Sequence, residues 1–167
     1  MTGPELDLRT DIAHPARVYD YWLAPGASAV LADLRDPDTV LAAASERLDL
    51  DEPAALMFVA CLQHIRDDDD PAGIVARYLE KMAPGSYLVL SHGTGDLDPE
   101  RSRIGAEMAE GWGLTFVPRS RDGILELFNG RPLIDPGLVL VSRWRPDDGE
   151  RGYNADRAWA YGGIATL

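Results

Sequence analysis

Cysteine, lysine, basic charge and long hydrophobic runs are what this sequence has least of. A single cysteine, Cys61, permits no internal disulfide and no cysteine-rich metal site, and a reducing cytoplasm is its simplest setting. Lys81 is the one lysine among 16 basic residues. The arginine bias, with abundant Ala, Gly, Asp and Pro, reads as GC-rich coding before it reads as function. The longest apolar stretch, Ala54 to Leu62, is about half of the ~20 residues that a membrane helix needs. Met1 to Asp11 is polar and acidic and does not read as a signal peptide. With 28 Asp+Glu against 16 Lys+Arg, the formal charge is −12. That field repels a phosphate backbone and anionic lipid, so neither nucleic acid nor membrane is an expected partner.

What is present suits a globular α/β chain. At 167 residues and 46% hydrophobic, length and composition predict one domain with a core of its own. An aromatic-heavy helix is expected over Pro15–Leu23, ended by Pro25-Gly26, and a second from Pro37 to about Leu48 behind an Asp36 cap. Ala54–Cys61 is continuously apolar, the pattern of a strand buried on both faces of a parallel sheet. The aspartates Asp67–Asp70 precede Pro71 and a helix with Ile74, Val75, Tyr78, Leu79 and Met82 on its apolar face. Tyr87–Leu90 then reads as the next parallel strand, so any small-molecule site should open around Leu62–Asp67 and Ser91–Asp96. Further helices are expected over Pro99–Glu110 and Ser120–Phe128. Strands over Leu138–Trp144 and Trp159–Ala165 would form an antiparallel pair at a sheet edge.

Three groups of residues bear on chemistry. Gly93-Thr94-Gly95-Asp96 follows a strand, as a phosphate-cradling loop would, but Asp98 stands where the third glycine belongs. A plain turn is the better reading. The four aspartates resemble a cation site, yet a helix cap explains them more simply. Cys61, His64 and His92 are too few and too irregularly spaced for zinc, so no metal is expected. Cys61 reads as a small core residue. His64 and His92 are the candidate general bases, since both follow strands on the open edge and titrate near neutral pH.

The block His14-Pro15-Ala16-Arg17-Val18-Tyr19-Asp20-Tyr21-Trp22-Leu23 resembles the opening of a bacterial family of S-adenosylmethionine-dependent methyltransferases with uncharacterised substrate. The likeness continues through Ala32–Asp38, Asp67–Pro71, Ala83–His92, Trp144-Arg145-Pro146 and Tyr161-Gly162-Gly163. It implies a Rossmann-like class I methyltransferase sheet, with antiparallel strands at its C-terminal edge and S-adenosylmethionine bound at the strands' C-terminal ends. It also implies that Asp33 meets the adenine amino group with Leu34 beside the ring, and that Gln63 and His64 border the methyl group. Tyr19 and Trp22 would cover the cofactor, and His92 would stand at the next strand end.

Against that family, the interval Ala24–Ala32 is short. The resemblance places there the first strand with its glycine-rich loop, and the second strand with the acidic residue for the ribose. The expected fold is therefore a reduced sheet lacking the first strands, with residues 1–24 as an N-terminal helix and 25–167 as a truncated core. Two functions follow as expectations: a methyltransferase with impaired cofactor binding and an unknown acceptor, or a non-catalytic binding or regulatory module. The partner is then a small-molecule acceptor or another protein. The loss would also expose the edge of Ala54–Cys61. Ala29–Leu34 is expected beside it as a replacement strand, with homodimer pairing or aggregation along that edge as the other outcomes.

Overall fold

A computed structural model describes residues 30–146 and 159–167. Contacts divide the chain into two units, Met1–Leu31 and Ala32–Leu167, and the account below concerns the second. The Pro15–Leu23 helix, with Tyr19 and Trp22, lies outside the described residues.

The helices α1 (Pro37–Ser45), α2 (Pro71–Leu79) and α3 (Pro99–Gly111) each begin directly after an aspartate. In each, the Asp side chain accepts a backbone N–H three residues on. Asp36 takes that of Thr39, Asp70 that of Gly73, and Asp98 that of Arg101. The following proline supplies a helical φ and no competing donor. A fourth helix, α4 (Arg121–Glu126), is capped by Ser120, whose Oγ accepts from Gly123 N–H. The Asp67–Asp70 run is thus a turn and a cap: Asp67–Asp69 form one 3-10 turn and Asp70 takes a left-handed φ of 51°.

The strands β1 (Ala55–Val59), β2 (Tyr87–Gly93), β3 (Val139–Leu140) and β4 (Ala160–Thr166) form one sheet in the order β1-β2-β4-β3. β1 and β2 are parallel, joined through α2, while β4 runs antiparallel to both β2 and β3. The expected antiparallel pair at the edge is present. It is shorter than the sequence suggested, because the chain leaves β3 after Leu140 and turns through a 3-10 segment, Val141–Arg143.

One face of the sheet carries the core. Phe58, Leu88, Leu90 and Ala165 pack with Ile74, Val75, Tyr78 and Leu79 of α2 and with Ile124, Leu127 and Phe128 in and just after α4. Phe58 meets Tyr78 edge to face, with ring centroids 5.4 Å apart, a geometry that adds to the apolar area removed from water.

The opposite face corrects two expectations. β1 is not buried on both sides: Phe58 is buried, but Met57 and Val59 remain 59% and 58% exposed. The apolar run reflects two chemically similar faces, only one of which has a layer packed on it. Nor do residues 30–34 form the replacement strand expected over Ala29–Leu34. Among the described residues, β1 is an edge strand of the sheet. No helix among the described residues is long and apolar enough to cross a membrane.

Gly73 gives a test of the caps. A Cβ added there would collide with the Asp70 carboxylate. Gly73→Ala should therefore destabilise the protein, although alanine is favoured over glycine within a helix by about 1 kcal/mol. Phe58→Ala should cost about 3–5 kcal/mol by emptying the centre of the core. Urea unfolding measures both.

Candidate functional site

The loops at the C-terminal ends of β1 and β2 are tied together by polar contacts. Ala60, with φ 51°, turns the chain out of β1, and Leu62–His64 follow as a 3-10 turn. The Gln63 side-chain Oε1 accepts the Gly93 N–H at 2.8 Å, and the Gln63 carbonyl accepts the Val117 N–H at 2.8 Å. The His64 Nδ1 lies 2.6 Å from the Thr115 carbonyl. A carbonyl only accepts, so Nδ1 carries the proton and Nε2 of the neutral ring keeps its lone pair.

Arg119 holds this assembly from inside. Its side chain is 8% exposed. Nη1 donates to the Leu62 carbonyl at 3.2 Å and to His92 Nε2 at 2.7 Å. Nη2 donates to the Ile65 carbonyl at 2.9 Å and to Asp67 Oδ1 at 2.6 Å, and Nε also reaches that oxygen. A planar guanidinium with five donors suits this set, and a lysine could not span it.

His92 is consequently not on the open edge. It is fully buried, with Nδ1 2.7 Å from the Gly93 carbonyl and Nε2 accepting from Arg119. The ring is neutral and its lone pair is already engaged. Burial, opposed in part by the Gly93 contact and aided by the Arg119 charge, pushes its pKa from 6.5 to about 4. The open-edge reading fails because the strand end is roofed by residues 115–119, a segment that sequence gave no reason to place there. Arg119 was missed for a related reason. In a chain whose basic residues are almost all arginine, nothing marks the one that is buried.

Asp33 and Leu34 occupy a neighbouring position. Arg35 donates to Asp33 from its backbone N–H and its guanidinium, with Nη2 2.6 Å from Oδ2. The Arg35 hydrogen bonds hold the Asp33 carboxyl below its ordinary pKa. The Leu34 carbonyl accepts from the Tyr78 hydroxyl at 3.1 Å, and the Arg35 carbonyl accepts from Arg77. These contacts fix the segment against the end of α2. Cys61 is half-buried, and burial pushes its thiol up to about 11, so it is a poor nucleophile near neutral pH. Among the described residues, no group of three or more His, Cys, Asp or Glu is clustered to hold a metal.

At the end of β2, a Cβ at Gly93 would press against Gln63 Oε1 and the Phe116 ring, which leaves no room there for a ligand, whereas one at Gly95 would make ordinary contact with Ser102. Two grooves open nearby. One of about 470 Å³ lies between Asp67, Asp70, Arg119 and Ser120, and another of about 590 Å³ lies between Leu97, Arg121, Leu140 and Tyr161. Neither is lined by Asp33, Leu34 or Gln63.

Residues 24–167 match the family model described as S-adenosyl methyltransferase. The chain belongs to that family. This methyltransferase-family chain is similar to the crystal structure of a DUF574 family protein from Streptomyces avermitilis, with TM-score 0.77 and 34% identity over 82% of this chain and 53% of that one. It is also similar to a Thermobifida fusca protein proposed to be a methyltransferase, with TM-score 0.73 and 25% identity over 90% of this chain and 57% of that one. The chain thus spans little more than half the length of the solved structures it matches. No curated protein matches it. The sheet described above is a reduced form of the Rossmann-like methyltransferase fold.

The buried network makes two predictions. Arg119→Ala leaves two carbonyls and His92 Nε2 without their donor and should cost about 3–5 kcal/mol. Arg119→Lys should recover little of that loss, whereas Asp67→Asn, at an exposed partner, should cost less than about 1 kcal/mol. The second concerns pH. The folded pKa of His92 is depressed, so the unfolded chain binds the extra proton. Stability is full above 6.5 and is lost as pH falls towards about 4, by up to about 3 kcal/mol. Calorimetric melting across that window should show the loss, reduced in His92→Gln.

Proposed function

We propose that this chain is an S-adenosylmethionine-dependent methyltransferase-family protein with an unknown small-molecule acceptor and a weakened hold on its cofactor. The observation that carries the reading is the family match over residues 24–167. Asp33, held by Arg35 with Leu34 adjacent, supplies an adenine-side pair: a carboxylate to accept the exocyclic amine and an apolar neighbour for the ring. The remainder of a cradle is not found among the described residues. Among the described residues no strand lies outside β1 to carry a glycine-rich loop, and Gly93, at the end of β2, is packed against Gln63 and Phe116. The described residues therefore fit the adenine end of the cofactor and do not fit its ribose and methionine ends.

On the acceptor side, His64 keeps Nε2 open as a proton acceptor, and Gln63 is fixed by two hydrogen bonds beside it. The same incompleteness supports a second reading, a non-catalytic binding module descended from the family.

Titration calorimetry with S-adenosylmethionine and S-adenosylhomocysteine tests the proposal. The expected Kd is weaker than about 10 μM, or −7 kcal/mol, and Asp33→Ala should abolish the residual heat. Tighter binding would show an intact cofactor site. No heat at millimolar cofactor would favour the binding module.

A further inference from the structure

The turn that follows α4 holds the one Asn-Gly pair of the chain, Asn129-Gly130. Both residues take left-handed backbone, with φ of 51° and 69°, which asparagine tolerates and glycine adopts freely. The Asn129 carboxamide is fixed through its nitrogen. Nδ2 donates to the Ala72 carbonyl, in the first turn of α2, at 3.1 Å, and to the Leu127 carbonyl at 3.2 Å. Both acceptors are carbonyls, so a side chain without N–H could not take this place. Asn129 is therefore a tie between the start of α2 and the turn after α4.

The next backbone nitrogen is unoccupied. Gly130 N–H donates to no acceptor among the described residues, and a Cβ added at Gly130 would meet no atom within 4 Å. Asp122-Gly123 provides the comparison. It has a side-chain carbonyl carbon in the same position before a glycine, but Gly123 lies within α4 and its N–H donates to Ser120 Oγ at 3.2 Å. The helix and its cap hold that nitrogen, and no described residue holds the one at Gly130.

We propose that Asn129-Gly130 is a site of spontaneous covalent modification whose product unties α2 from the turn after α4. The carboxamide first swings off its two carbonyls, a movement within an exposed turn. The Gly130 nitrogen, having given its proton to hydroxide, attacks Asn129 Cγ and forms a new N–C bond. The Cγ–Nδ2 bond breaks, and Nδ2 leaves as ammonia after taking a proton from water, which restores the hydroxide. The five-membered succinimide is then opened by water at either carbonyl. One opening gives aspartate in the original chain, and the other gives isoaspartate, with the chain rerouted through the former side chain. Both products lack Nδ2. A carboxylate would face the carbonyls of Ala72 and Leu127 oxygen to oxygen, so neither contact re-forms.

Peptide mapping by mass spectrometry, on the full folded chain stored at mildly alkaline pH and body temperature, tests this. The expected result is a gain of one mass unit at Asn129, faster as pH rises, with isoaspartate at the same position. Asn129→Gln, which would have to close a six-membered ring, should show no gain there over the same period. Asn129→Asp, the product with the original chain, should unfold at a lower urea concentration than wild type. Asn129 still intact when Asn154, which an alanine follows, has reacted overturns the proposal. So does modification that appears only in chain kept unfolded in urea. An Asn129→Asp variant as resistant to urea as wild type overturns the untying.

Discussion

The guanidinium of Arg119 is the interaction on which the candidate site depends. A buried cation is tolerated when its donors are all matched, and here two carbonyls, one carboxylate and one imidazole nitrogen match them. The acceptors come from three different pieces of the strand-end architecture. Leu62 and Ile65 belong to the turn after β1, Asp67 to the approach to α2, and His92 to the end of β2. The position of Gln63 and His64 is in this sense set by a residue more than fifty positions later. The same contact explains why His92 stays neutral: a protonated ring would present a donor to a donor.

The second constraint is the one-sidedness of the sheet. α2 and α4 cover one face and bury Phe58, Leu88 and Leu90, while the face with Met57, Val59 and Tyr87 has no layer of described residues upon it. The matched part of the chain spans little more than half the length of the solved structures to which it is similar. Among the described residues, an apolar face and the edge of β1 are both left uncovered on the same strand.

Much of the local structure was legible because it is decided locally. Asp36-Pro37, Asp70-Pro71 and Asp98-Pro99 each announce a helix, since cap and first-turn proline act within four residues. The apolar runs at Ala54 and Tyr87 announced β1 and β2, and their spacing around α2 announced a parallel pair. Asp33 and Leu34 were reached through family resemblance. The plain turn expected at Gly93–Gly95 begins later than the sequence suggested, because Gly93 is still in β2 opposite Ala160 and Thr94 bridges to Arg119. The burial of His92 was not legible, because it follows from residues 115–119 closing over the strand end. The exposure of one face of β1 was not legible either: an apolar run states what a strand could bury, not what is there to bury it.

Sequence by itself determined where helices begin, which segments form strands, and to which family the chain belongs. Those features rest on short-range hydrogen bonding and on motif identity. Only the tertiary structure decided that Arg119 is interior, that His92 is neutral and occupied, that the His64 Nδ1 meets the Thr115 carbonyl, and that β1 ends the sheet among the described residues. Each of these depends on partners distant in sequence, and a residue's charge, burial and pairing are properties of its neighbours in space.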